Sequence, residues 1–360
     1  MDPLKEMFNK AFYVQFAQAI GKAYKKFDAL HFVKEVTIEL PALSLNGRMR
    51  NTSVVLRKYL PADYKKAVEI LFAAAPRLPK GYTALVLPDF VGMYGKAHFD
   101  LSMQALKYFT SFGSSEFAIR EFLKTDLLKT LKVMDTWADD EDPHVRRLAS
   151  EGSRPRLPWS FKLDEIIRNP ALTQNILEKL KADEALYVRK SVANHLNDIS
   201  KENADFMLTL VNGWDKTNEY TRWIVKHASR SLIKKGHAGS LALFNFEEDV
   251  KVRFDKFRLA PPAIRLGETL EFQFDLTSQG NAAQKLVIDY AVHYARASGV
   301  PSRKVFKLKE ITLLPGQKMH IVKKQRFADF TTRKHHPGKH TVEVLINGKK
   351  MGAKSFALIV

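Results

Sequence analysis

Apolar residues recur every three or four positions through the first two-thirds of the chain. AVEILFAAA (67–75), HFDLSMQALKYFTSF (98–112), AIREFLKTDLLKTLKVMDTWA (118–138) and LTQNILEKLKA (172–182) each carry such a stripe, the spacing of one buried helix face. Near residue 250 the period changes to two. Leu270, Phe272, Phe274 and Leu276 share one face, as do Leu286, Ile288, Tyr290 and Val292. Further short runs follow, KVFKLKEITL, QKMHIVKKQRF, HTVEVLI and KSFALIV, with turn dipeptides at Pro315-Gly316, Pro337-Gly338 and Asn347-Gly348. About seven short strands in ~110 residues predict an immunoglobulin-like β-sandwich.

Within the helical part a local pattern returns. DPHVRRLAS (142–150), EALYVRKSVANHL (184–196) and NEYTRWIVKHASRSL (218–232) each open on polar residues and then set an arginine at the same point of an amphipathic helix: Arg146, Arg189 and Arg222, 43 and 33 residues apart. Periods of this size built from helix pairs predict a HEAT-like α-solenoid. The expected fold class is thus multidomain, α then β: a solenoid over residues 1–248 and a sandwich over 249–360, with RLAPPAIRLGE (258–268) joining them. The repeated arginines have two readings, a basic row along a concave face or structural caps between repeats.

Charge adds a partner. The 360 residues hold 58 Lys and Arg against 39 Asp and Glu, a net +19. From Lys251 onward there are 21 basic and 8 acidic residues, so most of the excess lies in the β part. A polyanion is the matching ligand, nucleic acid ahead of membrane. There is no cysteine, which rules out disulfides, thiolate nucleophiles and Cys-ligated zinc and fits the cytoplasm. The N-terminal residues mix charge into every turn, unlike a signal peptide or a membrane span.

The chemistry concentrates in ASEGSRPRLPW (149–159). It brings Glu151, Arg154, Arg156 and Trp159 into nine residues broken by Gly152, Pro155 and Pro158, a mixture that suits a charged ligand better than a core. Glu121 is a second candidate carboxylate, flanked by Arg120 and Phe122, and Glu116 competes with it. The acidic run 139–142 reads as a solvated helix start. His335, His336 and His340 read as a hairpin tip rather than a metal site, and His195 and His227 as structural. No phosphate-binding glycine loop or metalloprotease helix is present, and no metal or cofactor is expected.

VRRLASEGSRPRLPW (145–159) closely resembles the hallmark of the AlkC subfamily of HEAT-like-repeat alkylpurine DNA glycosylases. PLKEMFNKAF, RKYLPADYKKAVEIL, FGSSEFAIREFL and VRKSVANHLNDISK are similar to the same family, so the likeness covers most of residues 1–245; an appended immunoglobulin-like domain occurs in part of that subfamily. The resemblance implies base excision repair of duplex DNA: removal of N3-alkylated bases, including 3-methyladenine and 3-methylcytosine, without a flipped-base pocket. Such bases are cationic, so the glycosidic bond breaks toward an oxocarbenium-like sugar with little acid catalysis. A carboxylate beside that cation, able also to position water, is what helps. The expected catalytic residues are therefore Glu121, Glu151 and Trp159, the indole facing the cationic nucleotide. The expected DNA contacts are Arg120, Phe122, Arg146, Arg147, Arg154, Arg156, Arg189, Lys190 and Arg222, with Arg303, Lys304, Arg333, Lys334 and Lys339 in sandwich loops and Lys323, Lys324 and Arg326 on a strand; the alternative role of Arg154 and Arg156 is to pair with Glu151 and hold it ionised. The expected partner is duplex DNA, bound by a monomer away from membranes. Two other readings of the solenoid are a non-catalytic DNA-binding scaffold and a protein-interaction module.

Overall fold

Helices and strands do not mix along the chain. The structure, a computed structural model, describes residues 4–247, 249–329 and 334–360. Sixteen α-helices are described: α1 Lys10–Ala23, α2 Ala29–Thr37, α3 Leu45–Tyr59, α4 Tyr64–Ala74, α5 Val86–Tyr94, α6 Phe99–Phe109, α7 Ile119–Thr125, α8 Leu127–Trp137, α9 Pro143–Gly152, α10 Asp164–Arg168, α11 Gln174–Leu180, α12 Leu186–Ile199, α13 Ala204–Asn212, α14 Glu219–Ala228, α15 Arg230–Lys234 and α16 Ala238–Ala242. Eight strands follow: β1 Val252–Ala260, β2 Ala263–Arg265, β3 Thr269–Ser278, β4 Gln284–Tyr294, β5 Ser302–Leu313, β6 Lys318–Arg326, β7 Gly338–Ile346 and β8 Lys349–Ile359. No helix among the described residues is long and apolar enough to cross a membrane. The chain forms two compact units, Met1–Met207 with Gly213–Ala228, and Leu208–Asn212 with Ser229–Val360.

Local chemistry sets the helix boundaries. The long stripe at 118–138 is two helices, because Asp126 takes an extended conformation (φ −148°, ψ 94°) and its side chain accepts from the Lys129 amide, starting α8. That is an N-cap, and it satisfies an amide the helix itself leaves unpaired. Asp142 does the same for α9, accepting from the His144 amide (2.8 Å) with Pro143 in the first helical position. Along α12 a fully buried His195 ties repeats together: Nδ1 meets the Ser150 carbonyl at 3.0 Å and Nε2 the Thr173 hydroxyl at 3.2 Å. Burial, with Arg154 nearby, lowers its pKa to about 3, so the ring is neutral.

In the second unit the strands pair as β1-β3-β6 and β2-β8-β7-β4-β5, two sheets closing on Phe272, Phe274, Tyr290, Phe327 and Phe356. The alternating residues read from the sequence, Leu270 to Leu276 and Leu286 to Val292, are buried as expected. RLAPPAIRLGE is not a junction: it ends β1 and supplies β2, which pairs in parallel with β8. The change from helix to strand falls between Ala242 and Val252. The Asn347-Gly348 turn has positive φ at both residues (47° and 80°), as a two-residue hairpin requires. A Cβ on Gly348 would lie 2.1 Å from the Gly236 Cα, so this hairpin packs directly on the chain between α15 and α16. Asn347 adds side-chain bonds, accepting from the Val287 amide and donating to the Glu247 carbonyl, both at 2.7 Å.

Candidate active site

Helix α9 ends where the chemistry begins. It runs through Gly152, so Glu151 stands on its last turn and the loop 153–163 leaves from there. Gly152 is required by closeness: a Cβ would meet the Ile119 side chain at 2.5 Å. The loop is held from below by Arg120. This guanidinium is fully buried and donates to the carbonyls of Gly152 (3.0 Å), Arg154 (2.7 Å) and Phe161. Burial, then repulsion from Arg154, lowers its pKa to about 10, still far above neutrality. Arg120 is therefore a strut and not a DNA contact, and Phe122 is buried in the core. The order Arg120, Glu121, Phe122, Leu123, Lys124 does not by itself reveal that Arg120 faces inward.

Above this strut lies an alternating ion network. Arg147 donates to Ser114 (2.8 Å) and to Glu116, and lies 3.6 Å from Glu151. Glu151, buried, accepts from Arg154 at 2.6 Å. Arg154 bonds Asp198 through Nε (2.8 Å) and Nη2 (2.7 Å), and Asp198 bonds Lys201 (2.9 Å). Burial opposes the charge on Arg147 and Arg154, but the flanking carboxylates outweigh it and raise both pKa values. Each carboxylate thus has a cationic partner and none is an isolated buried charge.

Glu116, Glu151 and Arg147 line a cleft of about 570 Å³ together with Tyr82, Phe117, His144, Pro158, Trp159 and Tyr187. Trp159 is 72% exposed and has positive φ (64°), a backbone conformation costly for a bulky residue and held here by its loop. An indole so exposed is not the plug of a repeat junction. Arg147 also sits 4.9 Å over the Tyr187 ring. The wall thus offers fixed negative charge, its counter-ions, and aromatic faces at the rim. A cation developing inside it would be stabilised by charge already in place.

The sequence paired Glu151 with Glu121, and the fold pairs it with Glu116. Glu121 stands in the first turn of α7, bonded to Lys96 at 2.9 Å, and lines a neighbouring cleft of about 390 Å³. Glu116 precedes α7, in the turn that crosses to Arg147. Its signal was present, since Ser114 and Glu116 form a local hydrogen bond (2.8 Å), but nothing in the sequence placed Arg147 opposite.

The remaining arginines of the helical unit are mostly structural. Arg146 bonds Asp183 (2.6 Å) and the carbonyls of Asp140 and Glu141, and Arg189 bonds the carbonyls of Asp183 and Glu184. Each closes the loop five and six residues before it, so the repeat is real and its arginine is a cap. Arg189 also lies 4.3 Å over Tyr220. Arg154 belongs to the network above, and Arg156 bonds Glu202 (Nε, 3.1 Å). Lys190 and Arg222 are exposed. In the second unit Arg303 and Lys304 open β5 rather than a loop, Arg303 bonding Glu343 (3.1 Å) and Lys304 lying over Phe306. Lys334 is exposed, Lys339 is exposed on β7, and Arg333 lies outside the described residues. Lys324 and Arg326 are exposed on β6, while Lys323 turns half inward. His335 is buried against Asp329, and the His340 ring packs on Phe356.

Comparison with known proteins gives matches of three kinds. A family described as DNA alkylation repair enzyme matches residues 98–232, and the C-terminal Ig-like domain of the uncharacterised protein YhaZ matches 253–360. The YhaZ protein of Bacillus subtilis (strain 168) is 40% identical over 357 residues, 99% of either chain. The solved structure of Pseudomonas fluorescens alkylpurine DNA glycosylase AlkC, bound to DNA containing an abasic site analog, is similar over 100% of both chains, with 47% identity and a TM-score of 0.96.

Proposed function

The chain belongs to the AlkC-type alkylpurine DNA glycosylases of DNA alkylation repair, and from that premise we propose that it is a monofunctional glycosylase for cationic N3-alkylated bases, 3-methyladenine and 3-methylcytosine, in duplex DNA. The observation that carries this reading is the pair Glu116 and Glu151 held on either side of Arg147 in one cleft with Trp159 at its rim. The lesion carries positive charge before reaction. As the C1′–N bond breaks, its electron pair neutralises the departing base and the charge moves to the sugar. The carboxylates face that sugar cation, and water adds its oxygen to C1′ while its proton passes to a carboxylate and on to solvent. Trp159 lies against the nucleotide at the mouth of the cleft. The half-open cleft accepts the lesion without rotation of the nucleotide out of the duplex.

A monofunctional enzyme uses water, not an amine, as nucleophile. Lys80, the lysine lining this cleft among the described residues, lies over the Phe112 ring at 5.4 Å. Borohydride should therefore trap no enzyme–DNA adduct. The deciding experiment incubates the protein with methylated duplex DNA and identifies the bases released. Glu151→Gln and Glu116→Gln should each slow release by ~10²-fold or more with DNA affinity little changed, the effect of removing a preorganised stabiliser. Glu121→Gln should be near wild type. Release of no base from any methylated duplex would overturn the proposal; a slow Glu121→Gln with a normal Glu116→Gln would restore the pairing read from the sequence.

A further inference from the structure

The second cleft, about 390 Å³ in volume, lies against the first: Phe117 and Trp159 line both. It is in the range of small-molecule sites, roughly 300–1,000 Å³. Its walls come from α3, α5, α7 and the loop after Trp159, and the excision reaction as proposed leaves it idle. Three of its lining residues, Phe117, Trp159 and Phe161, are aromatic. Its carboxylates are Asp89 and Glu121. Asp89 is buried; its Oδ1 takes a 2.9 Å bond from Arg50, and its Oδ2 has no hydrogen-bond partner among the described residues. A buried acceptor of this kind is costly until a donor reaches it. Burial raises the Asp89 pKa, against the opposing pull of Arg50 and a hydrogen bond from Ser53.

The charges indicate what kind of group fits. Arg50 is matched by Asp89, and Lys96 by Glu121, so the cleft holds no surplus of positive charge to draw a phosphate. Flat aromatic walls and the one unsatisfied oxygen of Asp89 suit instead a planar ring with N–H donors on its edge. We propose that this cleft binds the released nucleobase, an amino-bearing purine, with its donor edge toward Asp89 and its ring against Trp159 and Phe161. The inference rests on the glycosylase reading, because only that reaction produces a free base beside Trp159. It makes the exposed indole a partition between the cleft where the bond breaks and the cleft where the base departs.

The test uses the full-length protein without DNA. Free 3-methyladenine and free adenine are titrated, binding is followed by tryptophan fluorescence and calorimetry, and inhibition of excision is measured separately. Both purines should bind, with thymine, which lacks the amino group, binding at least about tenfold more weakly. Asp89→Asn, which replaces an acceptor by a donor, should weaken purine binding by about tenfold or more. Phe161→Ala, at a half-exposed ring, should weaken it by loss of one wall. Glu151→Gln should leave it unchanged. Purine binding weaker than about 1 mM, equal binding by Asp89→Asn, or loss of binding in Glu151→Gln alone would each overturn the site, the last by putting the base in the first cleft. Base release from methylated DNA without binding of free purine defeats this site only. Purine binding without any base release defeats the glycosylase reading on which it rests.

Discussion

The arginines of the helical unit and the exposed lysines of the sandwich use positive charge differently. In the helical unit Arg120, Arg146, Arg147, Arg154, Arg156 and Arg189 all bond carboxylates or backbone carbonyls of their own unit. In the sandwich Lys304, Lys324, Lys334 and Lys339 are exposed, Lys324 with Glu271 3.6 Å away and Lys304 over the Phe306 ring. Guanidinium groups, planar with five donors, serve as internal joints because a single one satisfies several acceptors at once. Lysines extend a point charge on a flexible stem and are suited to a polyanion that approaches from outside. A count of basic residues merges these two populations. The surplus of the last third is the part of the count that predicts a partner, and the arginines of the first two-thirds mainly predict a rigid site.

The largest test of that contrast is Arg154→Met. It removes the guanidinium that bridges Glu151 and Asp198, leaving Glu151 with Arg147 and Asp198 with Lys201. Breaking a buried pair from one side costs ~3–5 kcal/mol, and the surviving partners put this case near about 3. Arg222→Met, at an exposed position, should stay within ~0.5 kcal/mol. Urea midpoints measure both. Equal midpoints for the two variants would mean the network contributes nothing to stability.

A smaller effect separates the units by pH. His195 has its pKa lowered to about 3 by burial and by Arg154, so the unfolded chain takes up the proton first. Stability from the neutral ring is complete above pH ~6.5 and is lost as pH falls, on the order of 2 kcal/mol by pH 5. Asp289 behaves oppositely. Burial raises it to about 6, against Lys234 and Lys307, so the folded sandwich holds the proton more tightly. That contribution is complete below pH ~3.8 and is lost as pH rises through 6, on the order of 2–3 kcal/mol. Acidification from pH 7.5 to 5 should therefore weaken the helical signal at 222 nm in thermal melts while sparing or strengthening the β signal. Asp289→Asn should abolish the β-side dependence and raise stability at pH 7.5. Parallel loss of both signals in the wild type would contradict the assignment.

The smallest effects are those of single sandwich cations. Lys304→Gln, Lys324→Gln and Lys339→Gln should each weaken duplex binding alike across DNA sequences. The log–log salt slope should fall by ~0.9 for every phosphate that a substitution leaves without its cation. Arg146→Gln, at an internal cap, should keep that slope unchanged. A slope indifferent to all three lysines would assign the exposed charge to some other partner.

Periodicity alone makes the architecture legible. A stripe at three- and four-residue spacing has one way to hide, as has a face at period two, and Asp142 before Pro143 is a recognisable cap because its shape competes locally for backbone amides. The stretch 149–159 is legible as a site for the same local reason: prolines, glycine and mixed charge have no use in a helix interior. Glu151 and Trp159 follow from it. Glu116 as the partner carboxylate and the role of Arg120 do not, because a side chain's partner is decided by what the fold brings opposite. Arg120 reaches Gly152 and Phe161 across 32 and 41 residues, and Arg154 reaches Asp198 across 44. Sequence by itself determined which part of the chain is helical and which is strand, and which segment is too rich in charge to be packing. Only the tertiary structure decided which charges are bound inside the protein and which remain for a ligand, because desolvating a charge is tolerable only beside a partner, and those partners come from distant segments.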